Sequence, residues 1–180
     1  VMSGLASINL FVFLMLFREK KLNYYILALL AIITISNVGN YFLATAISIE
    51  EAIIAKKIYY VGGCFMPPII LLLIVKMCNI SIKKWIENLF LLYSFAVYTM
   101  VFSIGYSDLY YKSASIIKDD GVTVIIPEYG IGHMFFYVLL YGYLILGIGV
   151  LVYSLKKKNQ LSRKNLWALL GLEMMTILIF

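Results

Sequence analysis

Apolar residues along this chain gather into blocks instead of recurring at an amphipathic period. Six blocks can be drawn, at about 1–17, 23–47, 58–78, 85–105, 133–155 and from 166 onward. Blocks of roughly 16–24 residues, at 1.5 Å rise per residue, match the ~30 Å hydrocarbon core of a bilayer. A buried soluble core would use shorter runs with polar faces between them. Each block therefore predicts a membrane-spanning helix, and together they predict an all-α polytopic bundle. Short charged stretches separate the blocks. Arg18, Glu19, Lys20 and Lys21 end the first, and 48–57, with Glu50, Glu51, Lys56 and Lys57, reads as a loop. Lys76 lies near the end of the third block, where its stem can snorkel toward water.

One interval breaks the pattern. Residues 106–131 are polar and aromatic, and within them 112–117 and 122–127 are β-prone runs flanking Lys118-Asp119-Asp120-Gly121. Asp-Gly between β-branched residues predicts a tight hairpin, because glycine accepts the positive φ the turn requires. The bundle is thus expected to carry a short extracellular β-hairpin, which either caps its mouth or merely spaces two helices.

Composition agrees with the blocks: 63% of residues are hydrophobic and 13% charged, against about half and a quarter in soluble domains. The net charge of +6 is unevenly placed. The loops after the first, third and fifth blocks hold eleven of the 15 basic residues: Arg18, Lys20, Lys21, Lys76, Lys83, Lys84, Lys156, Lys157, Lys158, Arg163 and Lys164. The loops after the second and fourth hold Lys56, Lys57, Lys112 and Lys118 against six acids, Glu50, Glu51, Asp108, Asp119, Asp120 and Glu128. The positive-inside rule puts the cationic set in the cytoplasm and the N-terminus outside. The basic excess is a topology signal and calls for no nucleic acid. Cys64 and Cys78, fourteen apart, fit neither a disulfide framework nor a zinc site and read as packing residues. The first run lacks the charged start and small-residue cleavage site of a signal peptide. Both ends fall inside apolar runs, so a single domain cut from a longer protein is expected.

Catalytic constellations are missing from the sequence. There is one histidine, His133, and Gly62-Gly63 lacks the Lys-Ser/Thr of a phosphate loop. No cofactor or metal is expected, and the segment by itself is not expected to be an enzyme. Interest falls instead on polar groups in or near the bilayer, which are costly unless used. Glu173, in the sixth block, would cost roughly 2.5 kcal/mol or more there; it is either a ligand or coupling residue or a helix-packing hydrogen bond. Asn37 and Asn40 share one face of the second block with Thr34 and Tyr41. They are either interhelical hydrogen bonders or part of a ligand site. Pro67-Pro68 predicts a kink. His133, with Glu128 and Tyr129, marks the outer end of the fifth block, as a neutral-pH sensor or a polar anchor. Tyr59, Tyr60, Tyr106, Tyr110, Tyr111 and Tyr129 gather at the same face, lining a shallow ligand site or forming an interfacial belt.

Three stretches carry a resemblance. Glu51-Ala52 is followed by Ala55-Lys56-Lys57-Ile58-Tyr59-Tyr60-Val61-Gly62 and Phe65-x-Pro67; Asp108-Leu109-Tyr110-Tyr111 comes next; then Glu128-Tyr129-Gly130-x-x-His133, Tyr137 and Tyr141. In this order and spacing they resemble the N-terminal seven-transmembrane sensor region of bacterial histidine kinases and cyclic di-GMP enzymes. The resemblance spans essentially the whole chain. It implies a seventh helix running inward to a cytoplasmic output module: a histidine kinase, or a diguanylate cyclase or phosphodiesterase. It also implies a homodimer, since such outputs work in pairs. One departure is Asp108, where many relatives carry histidine.

The expectation is a signal-input domain in the bacterial plasma membrane that binds a small extracellular ligand. Tyr59, Tyr110, Tyr111, Glu128 and His133 are the candidates near the outer mouth, with Asn37, Asn40 and Glu173 deeper. The rival is a transporter or permease fragment, which would carry an inverted repeat and broken helices meeting at the midplane.

Overall fold

The computed structural model describes residues 24–156 and Gly171. Its elements are α1 (Tyr24–Thr45), α2 (Ile49–Met77), α3 (Lys84–Val101), β1 (Tyr111–Asp119), β2 (Val122–Tyr129) and α4 (Gly132–Lys156). The first and sixth apolar blocks, and Glu173 with them, lie outside the described residues. The described fold is mostly helical, with one small antiparallel sheet. Among the described residues, α1, α2 and α4 are long and apolar enough to cross a membrane.

The start of α2 corrects the sequence reading. Residues 48–57 do not form a loop; the helix begins at Ile49. Ser48 is its N-cap: the Ser48 hydroxyl accepts from the Glu51 N–H (3.2 Å), and the Glu51 carboxylate accepts from the Ile47 N–H (2.9 Å). This is a capping box displaced by one residue on its return arm, and Glu50 and Glu51 face the positive end of the helix dipole. The charges that resembled a loop are the first turns of the helix. Its 29 residues extend about 44 Å, well beyond a ~30 Å hydrocarbon core. Two lysines stand near the edges of that core. The Lys56 ammonium lies 4.4 Å from the Tyr59 ring centroid, and the Lys76 ammonium 4.5 Å from that of Tyr24. The helix runs unbroken through Pro67 and Pro68, both buried.

α2 is the central helix. Of its most apolar window, 78% is buried, against 22% for α1 and 33% for α4. A helix apolar and buried all round belongs inside a bundle, and Cys64, Ile70, Leu71, Leu72 and Ile74 are almost fully enclosed. α1 packs on it at a close crossing, where the Ser36 hydroxyl donates to the Tyr59 carbonyl (3.0 Å) and Gly39 lies against the Tyr59 backbone. Tyrosines staple α3 in place: Tyr98 donates to the Lys57 carbonyl of α2 (3.3 Å) and Tyr93 to the Phe135 carbonyl of α4 (3.2 Å). From α4, Tyr143 donates back to the Phe90 carbonyl (2.6 Å). α3 ends at Val101, and turns through 102–106 replace the last part of the expected helix.

The hairpin forms where the sequence placed it. Asp119 pairs with Val122, leaving Asp120 and Gly121 as a two-residue turn with φ of 46° and 79°, the type I′ signature. A bulge lies between Tyr111 and Ser113. One extra residue there reverses the side-chain parity, so Ala114 and Ile116 share the inward face with Tyr111. On β2, Thr123 and Ile125 are buried, and the Thr123 hydroxyl donates to the Ala46 carbonyl at the α1–α2 connection (2.6 Å). The hairpin is therefore fastened to the helix ends.

Candidate functional site

The strand β1 is held to the start of α4 by backbone bonds: Gly130 N–H to the Tyr110 carbonyl (2.9 Å) and Gly132 N–H to the Leu109 carbonyl (2.7 Å). A Cβ on Gly130 would collide with the Asp108 and Leu109 carbonyl oxygens, so only glycine permits this approach. The clamp turns Tyr110 and Tyr111 inward, where they meet Tyr60 from α2 and His133 from α4. The Tyr60 and Tyr111 hydroxyls are hydrogen-bonded at 2.9 Å in a buried setting. The Tyr60 ring packs edge-on against Tyr110 and Phe136, each at 5.3 Å between centroids. The imidazole of His133 stacks on Tyr129 at 3.9 Å and 12°, with Tyr137 edge-on at 4.7 Å and Tyr110 at 5.0 Å. One aromatic cluster thus joins the hairpin to two membrane helices.

The cluster is closed but not fully satisfied. Tyr110 is 0% and His133 3% exposed. Among the described residues His133 Nδ1 has no hydrogen-bond partner, and the Tyr110 hydroxyl has only a loose contact with the Tyr60 hydroxyl, which is bonded to Tyr111. A buried polar atom left unpaired costs about 1–3 kcal/mol. Burial pushes the Tyr110 and Tyr111 phenols above their ordinary value, and that of Tyr129 likewise. All three stay protonated at neutral pH and act as hydroxyl groups.

Beside the cluster lies a cleft of about 350 Å³, bounded by Ile53 of α2, the α3–β1 connection and β1 from Tyr111 to Ala114. Asp108, Tyr106 and Lys112 stand on its rim. Tyr111 lines the cleft while its hydroxyl reaches Tyr60, so the cleft and the cluster share one wall.

Of the residues singled out in the sequence, the structure brings Tyr110, Tyr111 and His133 together. His133 is enclosed, whereas a position at an open interface was expected. Tyr59 is near by on α2, half-buried, beneath Lys56. Glu128 points away on the outward face of β2, accepting from the Ser113 hydroxyl (3.1 Å) and lying 3.8 Å from the Lys112 ammonium. Asn37 and Asn40 are half-buried on α1, next to the Ser36–Gly39 seam and apart from the cluster. Glu173 lies outside the described residues. Tyr60 was named only as one of the outer-face tyrosines, and Phe136 and Tyr137 were not site candidates, although His133, Phe136 and Tyr137 recur at i, i+3 and i+4, the spacing of one helix face. The role of Gly130 was hidden because the carbonyls it accommodates come from twenty residues earlier.

A family model described as the N-terminal 7TM region of histidine kinase matches residues 1–179. The chain belongs to this family. No curated protein and no solved structure matches it significantly. As a histidine kinase 7TM region the chain is a membrane-associated sensor region, distinct from the kinase's catalytic module, and membership implies a cytoplasmic output domain in the same protein. The match covers histidine kinases alone; the cyclic di-GMP enzymes of the resemblance go beyond it. The three stretches that carry the resemblance now have a physical reading. They supply Tyr60, the Tyr110-Tyr111 pair, and the Gly130–His133 clamp, which are the parts of one cluster.

Proposed function

We propose that this 7TM region binds a small ligand from outside the cell, on the hairpin side, and thereby sets the activity of a cytoplasmic histidine kinase module further along the chain. The charge distribution supports that orientation, with the N-terminus outside and the cationic loops within. The observation that carries the proposal is the Tyr60–Tyr111 hydroxyl bridge. It couples the hairpin to α2, the helix on which the others pack. A ligand shifts a bundle only if it binds one arrangement better than another. His133 Nδ1, buried and without a partner among the described residues, favours a second arrangement in which it finds one. The cost of one such atom is of the same order as a coupling free energy of about 1–3 kcal/mol. Kinase modules act in pairs, so the working unit is a homodimer. Transport has no comparable support: the family match extends to residue 179 and names the N-terminal 7TM region of histidine kinase.

The test is autophosphorylation of the full-length protein in lipid bilayers. Tyr111→Phe should shift the basal level by about fivefold or more while Lys118→Gln, exposed at the hairpin tip, leaves it unchanged. An unchanged level in Tyr111→Phe, or a chain that continues past residue 180 into many further membrane helices, would overturn the reading.

A further inference from the structure

The cleft beside the aromatic cluster carries both signs of charge on its rim. Among the described residues the Asp108 carboxylate makes no ion pair. Lys112 sits 3.8 Å from Glu128, but both side chains are more than half exposed, at 58% and 64%. Such an exposed pair is worth about 0–1 kcal/mol and exchanges readily for another partner. A second ammonium, that of Lys57, hangs 4.7 Å over the Tyr106 ring. Between the charges the walls are Ile53 and the Tyr106 and Tyr111 rings.

Resting on the ligand-sensing reading above, we infer that the cleft binds a free amino acid with an apolar side chain, through its ammonium and carboxylate together. A simple cation would meet Lys57 and Lys112 as well as Asp108. A simple anion would meet Asp108 as well as the lysines. A zwitterion places its ammonium on Asp108 and its carboxylate on Lys112, turning each repulsion into a pairing. The side chain then lies against Ile53 and Tyr111. The volume, about 350 Å³, is at the lower end of the ~300–1,000 Å³ range of small-molecule sites, which suits a single amino acid. Contact with Tyr111 gives the bound molecule direct access to the Tyr60 bridge.

The experiment measures thermal unfolding and equilibrium binding on the full-length protein in nanodiscs. An equimolar mixture of the twenty amino acids is tested first, followed by L-leucine, 3-methylbutylamine and 4-methylpentanoate. The mixture and leucine should bind saturably, and the two compounds that lack one charge should bind at least about tenfold more weakly. Asp108→Asn and Lys112→Gln should each weaken leucine about tenfold, while Lys118→Gln at the hairpin tip leaves it unchanged. Three results would overturn the inference: no amino acid binding by protein that unfolds cooperatively, a single-charge compound binding as tightly as leucine, or wild-type affinity in both rim variants. Autophosphorylation is followed in the same samples. Amino acid binding that leaves phosphorylation unchanged would uphold the cleft's specificity and overturn the sensor reading alone.

Discussion

Tyr110 at the hairpin end and Leu72 in the last third of α2 are almost equally enclosed, at 0% and 2% exposure, yet different physics holds them. Around Leu72 the neighbours are Ile69, Ile70, Leu73 and Ile74, with Leu29 and Tyr25 from α1. Their attraction has no direction, and only the volume filled matters. Around Tyr110 the contacts are directed: its carbonyl accepts from the Gly130 N–H, its ring packs edge-on against Tyr60, and the Tyr60 and Tyr111 hydroxyls bond beside it. Such contacts are made or lost one at a time. The comparison shows how one bundle can hold a rigid axis and an end whose contacts change one at a time.

The sharpest way to break this comparison is Gly130→Val. The new side chain cannot coexist with the Asp108 and Leu109 carbonyls, and a loss of about 4 kcal/mol or more is expected. Hydrogen exchange should show β1 and β2 amides unprotected while the middle of α2 stays protected; equal loss in both would mean that the two regions are not separable. Next comes Leu72→Ala, expected to lower stability in bilayer-mimetic unfolding assays by about 3 kcal/mol through the cavity it leaves, whereas Leu72→Met stays below about 1.5 kcal/mol. A large penalty for the methionine would contradict the volume-only account of this apolar part of α2. Thr123→Val keeps the shape but strands the Ala46 carbonyl, and about 2 kcal/mol is expected, read as earlier unfolding of the hairpin. Smallest is Lys112→Ala, whose exposed pairing with Glu128 should change stability by less than about 0.5 kcal/mol.

The helices and the hairpin were legible because each rests on local signals. The Asp120-Gly121 turn is written in two residues, and the three described helices long and apolar enough to cross a membrane are announced by their apolar blocks. The start of α2 was misread because Glu50, Glu51, Lys56 and Lys57 were weighed as loop charges, although Ser48 and Glu51 already held the capping spacing. The site was only half legible. The tyrosines and His133 could be assigned to one end of the bundle, but their convergence depends on the fold-back at Gly130, a contact far apart in sequence. Glu128 was placed near His133 because the two are five residues apart. Strand alternation turns it the other way, onto Ser113 and Lys112.

The lysines of α2 bear on how a signal can travel. Lys56 and Lys76 are separated by twenty residues, about 30 Å along a helix axis, and each ammonium rests on a tyrosine ring. That distance is the thickness of the hydrocarbon layer. Displacing the helix along the membrane normal in either direction would draw one ammonium toward the bilayer centre, where a lysine costs about 2.5–3.5 kcal/mol. A piston stroke is thereby opposed from both sides. Rotation about the axis and tilt carry no such penalty, so under the proposed sensor function a twist or a lean is the motion this helix can make most cheaply.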